Sequence, residues 1–179
     1  MKVNRETGLI EDVKYCASDH CNDRPDTMDI SLLVVHAISL PPGGFAGDDV
    51  VALFQGKLDT SKHPYYRQLA GVQVSAHCWI RRDGELIQFV PFHRRAWHAG
   101  VSRFAHRNNV NDFSIGIELE GTETAPFTKA QYARLNELIH ALREAYPCLQ
   151  SAPLVAHSDI APGRKTDPGL GFDWSKVTV

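Results

Sequence analysis

The chain has no run approaching the roughly 18 apolar residues of a membrane span, and its opening stretch MKVNRETGLIEDVKYCASDHCNDRPD has no apolar core of the secretory-signal kind. A soluble, cytoplasmic protein is expected. Basic residues are not in excess: 19 Lys and Arg against 21 Asp and Glu give a formal net charge of -2. No positive field exists to hold a phosphate backbone or an anionic membrane, so nucleic acid and membranes are not expected partners. No sequence feature asks for an obligate protein partner.

Cysteine is scarce and scattered. Cys16, Cys21, Cys78 and Cys148 form no CxxC pair, which argues against a disulfide framework and a cysteine zinc site. There is no repeat, no linker and no low-complexity tract. With 43% hydrophobic and 22% charged residues, the 179-residue chain is too short for two well-cored halves at about 150 residues each. The expectation is one domain over 1–179, with a core of about 24–174 and a peripheral segment 1–23. A local HExxH signature is also missing, so any metal site must draw on distant residues.

What is present reads as a mixed sheet with helices packed on it, an α/β class of about four to six strands. ISLLVVH (30–36) is an apolar run of buried-strand length. After the loop PPGGFAG, GDDVVALFQGKL has room for one short helix, with Asp48 or Asp49 in its first turn and Gly56 near its end. Residues 58–71 read as irregular loop. VSAHCWIRRDGELIQFVPF places two β-rich stretches around Asp83-Gly84, a hairpin signal. HRRAWHAGVSRFAHRNNVND (93–112) reads as a long surface loop. FSIGIELE (113–120) alternates, setting Glu118 and Glu120 on one strand face. Thr128 and Gln131 have capping-box spacing ahead of a helix that Pro147 stops, and PLVAH (153–157) is a second apolar run closing on a histidine.

Nine histidines are spread along the chain, but His36 and His157 stand apart because each ends an apolar strand. Such an element can hold a side chain rigidly at the mouth of a site. Asp167 follows ten residues after His157, in RKTDPG. Two histidines and a carboxylate are a catalytic zinc set, though other divalent metals accept the same donors. Two buried histidines and a turn aspartate would read the same way. A zinc hydrolase also needs a proton carrier and a positive group for the oxyanion. Glu118, with Glu120 as its competitor, and Lys165, two residues before Asp167, are the candidates.

SLLVVHAISLPPGGF, VSAHCWIRRDGELIQFVPF, RAWHAGVS, NDFSIGIELEGT and RKTDPG, in this order, resemble the zinc-dependent N-acetylmuramoyl-L-alanine amidases. The resemblance runs from about Arg24 to Trp174 and is strongest to the AmpD type, cytoplasmic enzymes acting on 1,6-anhydro-muropeptides in cell-wall recycling. It implies the mixed sheet of the amidase and peptidoglycan-recognition-protein fold, and one zinc ion on His36, His157 and Asp167. It further implies Glu118 as acid/base, Lys165 as oxyanion stabiliser, and a small soluble muropeptide as substrate. Trp97 matches a wall of the sugar groove. Ala37 stands where the family often has Asn, and Asn109 where it often has Arg, which bears on one contact behind the metal and one to substrate. Arg107 is the nearby guanidinium expected to replace the lost one. Two other readings share this pattern: a muropeptide-binding module without catalysis, and an exported amidase acting on intact peptidoglycan. A pure receptor has no use for Asp167 or Lys165, and an exported enzyme would carry a signal segment.

Overall fold

A computed structural model describes residues 1–178. Its frame is a six-stranded sheet of β1 (Lys14–Tyr15), β2 (Leu32–Ile38), β3 (Cys78–Ile80), β4 (Leu86–Gln88), β5 (Ser114–Glu120) and β6 (Leu154–Ala156). The order across the sheet is β6-β2-β5-β3-β4-β1. Strands β6, β2, β5 and β3 run parallel, while β4 is antiparallel to β3 and carries β1 alongside it. The sheet is mixed, as its sequence pattern predicts.

The buried runs explain the layers. Leu33 and Val35 of β2 and Ile115, Ile117 and Leu119 of β5 face α2 (Lys129–Ala145), whose Tyr132, Leu135, Leu138, Ile139 and Leu142 fill the main core. Thr128 caps α2: its side chain accepts from the Gln131 N–H, and the Gln131 side chain accepts from the Thr128 N–H. The opposite face holds Leu32 and Val34 under Val110, Phe113 and Ile160. Beside them, α1 (Asp49–Phe54), the sheet residues Trp79 and Ile87, and Phe89 just beyond β4 form a further apolar cluster.

Some local expectations change. The Asp83-Gly84 turn is present, but only Gly84 is left-handed (φ 89°), and the loop closes through Arg81 N–H to Glu85 carbonyl, wider than a two-residue turn. Segment 58–71 contains a 3-10 turn, Pro64–Leu69, which His63 caps by accepting from the Tyr65 N–H. Segment 93–112 is partly strand: Arg94–Ala96 pairs with Cys21–Asp23, and Arg103–Phe104 with Arg107–Asn108. Such short ribbons carry no periodicity to read. The first 23 residues, expected at the periphery, supply edge strand β1 and bury Val3 and Ile10 in the main core. Among the described residues no helix is long and apolar enough to cross a membrane, and all four cysteines are free.

Candidate metal centre

Register assembles the site. Glu118 of β5 pairs with His36 of β2, and Val35 pairs with Ala156 of β6, so His157 follows at the level of His36. Residues at one register level share a face of the sheet. Two imidazoles and a carboxyl therefore meet at the carboxyl ends of neighbouring parallel strands, where such sheets receive ligands. Asp167 joins them from the loop beyond α3 (His157–Ile160). Its carbonyl accepts from the Ser158 N–H at 3.1 Å, which ties that loop back to the strand end.

His36 Nδ1 lies 2.9 Å from His157 Nδ1 and 3.4 Å from Asp167 Oδ2, and His157 Nδ1 lies 3.1 Å from the same oxygen. All three residues are buried. A tetrahedral ion with bonds of about 2.0–2.1 Å has ligand-to-ligand edges of about 3.3 Å, so this triangle has the size of one face of such a site. The protonation states agree. Burial lowers His36 to about 4, with Asp167 pulling the other way. Burial would raise Asp167, but the imidazoles of His157 and His36 outweigh it and hold the carboxyl well below its usual range. A neutral His36 and an ionised carboxylate are ready to hold a divalent cation.

Burial raises Glu118 well above the ordinary carboxylate value; Asp167 adds to the shift and Lys165 opposes it. Its Oε2 is buried without a hydrogen-bond partner. Glu120 differs, because Oε1 accepts from the Ala46 N–H at 2.8 Å and Oε2 from the Arg82 N–H at 2.9 Å. Of the two carboxylates left open by the strand pattern, Glu118 has proton-accepting capacity to spare and Glu120 is spent on holding loops.

Glu118, His157 and Asp167 line a cleft of about 720 Å³, with Lys165 and Thr166 on one wall. Leu53 and Phe54 of α1, Tyr65 and Leu69 of the 3-10 turn, and Trp97 form an apolar stretch of its wall. Trp97 is braced there by stacking on His20 and by donating from Nε1 to Asn22 Oδ1 at 2.9 Å. Two expected substrate residues fall elsewhere. Arg107 is not at the cleft: it pairs with Asp29, and its guanidinium lies 3.6 Å from the Phe113 ring centre, so its charge is already matched. Asn109 is left-handed (φ 57°), precedes the short turn Val110–Asp112, and lines a separate depression with Trp97. His98 ends no apolar strand, yet its Nδ1 lies 2.9 Å from His36 Nε2. Its only sequence signal is its place beside Trp97.

Burial is also the largest cause that lowers His77 and His98, as it is for His36. Unfolding returns all three to about 6.5. Below that pH the unfolded chain binds protons that the folded chain refuses, so stability falls with pH until the folded values are reached. Metal-depleted Glu118→Gln protein, which lacks the raised carboxyl whose protonation acts in the opposite direction, should therefore unfold at lower urea at pH 5.5 than at pH 7.5, by roughly 1 kcal/mol for each histidine. Equal midpoints would contradict their neutral burial.

Known proteins resemble this chain in sequence and fold. The pattern of the N-acetylmuramoyl-L-alanine amidase family matches residues 26–170. The chain is 51% identical over 174 residues to the 1,6-anhydro-N-acetylmuramyl-L-alanine amidase AmpD of Escherichia coli (strain K12), covering 97% of this chain and 94% of that one. A crystal structure of a Se-Met AmpD derivative superposes with a TM-score of 0.94 at 50% identity, covering 99% of this chain and 97% of the other. The amidase AmiD from E. coli, in complex with the substrate anhydro-N-acetylmuramic acid-L-Ala-D-gamma-Glu-L-Lys, superposes with a TM-score of 0.60 at 31% identity, over 83% of this chain and 56% of that one. With a family match that spans five of the six strands and the candidate metal triangle, and half of its residues shared with an amidase of similar length, this chain belongs to the N-acetylmuramoyl-L-alanine amidases.

Proposed function

We propose that the protein is a zinc-dependent hydrolase of soluble muropeptides. It cuts the amide bond between the lactyl group of 1,6-anhydro-N-acetylmuramic acid and L-alanine, as a cytoplasmic step of peptidoglycan recycling. The observation that carries this reading is the buried triangle of His36, His157 and Asp167 beside the unpaired carboxyl of Glu118. The half-identity to enzymes named for the anhydro-sugar bond supports the substrate.

His36, His157 and Asp167 would hold one zinc ion. Zinc bound there supplies Lewis acidity toward the amide carbonyl and lowers the pKa of water. Glu118 takes a proton from the attacking water and hands it to the alanine nitrogen as the C–N bond breaks, and its raised proton affinity suits the first transfer, in which it accepts. The Lys165 ammonium, at the cleft wall, faces the charge that develops on the carbonyl oxygen. Products are a sugar with a free lactyl carboxylate and a peptide with a free amino terminus. The apolar wall that includes Trp97 receives the sugar.

Competition between an anhydro-muropeptide and its reducing-sugar counterpart in one reaction, followed by mass spectrometry, tests the substrate. The anhydro form should be consumed about 5 to 150 times faster, the equivalent of about 1 to 3 kcal/mol for a stranded polar group. Trp97→Ala should narrow that ratio. Equal consumption by the wild-type protein overturns the sugar preference and leaves the amidase standing.

A further inference from the structure

His36 and His157 both turn Nδ1 toward Asp167, and the far nitrogen of each ring is held by the same dipeptide. His157 Nε2 lies 3.3 Å from the Ala99 carbonyl oxygen. A carbonyl only accepts, so the ring proton is on Nε2 and Nδ1 presents its lone pair. For His36 the assignment follows along a chain. The Ser114 hydroxyl donates its single proton to the Val110 carbonyl at 2.6 Å. Its oxygen therefore accepts from His98 Nε2, 3.1 Å away. That leaves His98 Nδ1 bare, to accept from His36 Nε2 at 2.9 Å. His36 Nδ1 is then a lone pair as well, which is the form a metal ligand requires.

The dipeptide is itself fixed. Asn111 Oδ1 accepts from the His98 N–H at 3.1 Å and from the Ala99 N–H at 2.8 Å. Arg164 donates to the Ala99 carbonyl at 2.6 Å, tying it to the loop that carries Asp167. Gly116 provides the space, because a Cβ there would stand 2.4 Å from His98 Cγ. Resting on the zinc reading above, we propose that the His98 ring and the Ala99 carbonyl are positioning groups that set the tautomer and ring orientation of both histidine ligands, with Ser114 and Asn111 holding them in place.

The test is the zinc dissociation constant, measured on the whole chain by competition with a chromophoric chelator. His98→Leu keeps the bulk and removes the acceptor, and it should weaken zinc by roughly 10- to 100-fold. His98→Asn sets an amide oxygen near the Nδ1 position and should recover most of that loss. Ser114→Ala is nearly isosteric and releases the His98 tautomer, so it should weaken zinc in the same direction by a smaller factor. Thermal unfolding of the metal-depleted variants reports the fold, and if His98→Leu does not fold, Ser114→Ala carries the test. Unchanged affinity in Ser114→Ala and His98→Leu, or no recovery in His98→Asn, overturns the proposal. A wild-type chain that binds no zinc overturns the zinc reading instead, and this proposal with it.

Discussion

Replacing His36, His157 or Asp167 with alanine should leave a folded chain that no longer retains zinc at micromolar concentration and no longer cuts muropeptide. The three donor atoms lie within 3.4 Å of one another, so each substitution removes a third of the protein's hold on the ion. Wild-type protein should carry one zinc ion by metal analysis, lose activity to a strong chelator and regain it when zinc is restored. His20→Ala and His140→Ala are the controls for metal content. His20 bonds the Val74 carbonyl through Nδ1, and His140 is exposed on α2, so both variants should keep their zinc. Full activity in a verified metal-free sample would refute the zinc centre.

Glu118→Gln and Lys165→Ala should separate chemistry from binding. Neither residue belongs to the donor triangle, so both variants should keep zinc and still bind substrate, while turnover falls roughly 100-fold or more. Glu120→Ala should act differently despite sharing the strand face. Its carboxylate accepts from two backbone N–H groups, Ala46 on the loop at the cleft rim and Arg82 in the β3–β4 loop. Losing it strands both donors at a cost of about 1 to 3 kcal/mol in stability, with a much smaller effect on turnover. Loss of turnover in Glu120→Ala with normal rates in Glu118→Gln would exchange the two assignments.

The sheet and the long helix were legible because their residues repeat with the period of the element. ISLLVVH and FSIGIELE bury one or both faces of a strand, and Thr128 to Gln131 marks the start of α2 by a local exchange of hydrogen bonds. The candidate metal residues stood out because two histidines end apolar runs, and the motif resemblance then named them together with Asp167. The partner of Arg107 is not legible, for the opposite reason. Whether a guanidinium meets Asp29 or a substrate depends on a neighbour 78 residues away, and no local pattern records that.

Periodicity, capping and strand-end histidines are properties of short stretches, so residue order sufficed for the class of fold, the elements that bear the site and the candidate metal donors. What sets Glu118 apart from Glu120 is long-range contact, since two like carboxylates on one strand differ only in which distant N–H groups reach them. The contact of His98 with His36 has the same origin. His98 sits in a stretch without period, and it meets His36 only because Gly116 lets its ring lie against β5 while β5 pairs with β2.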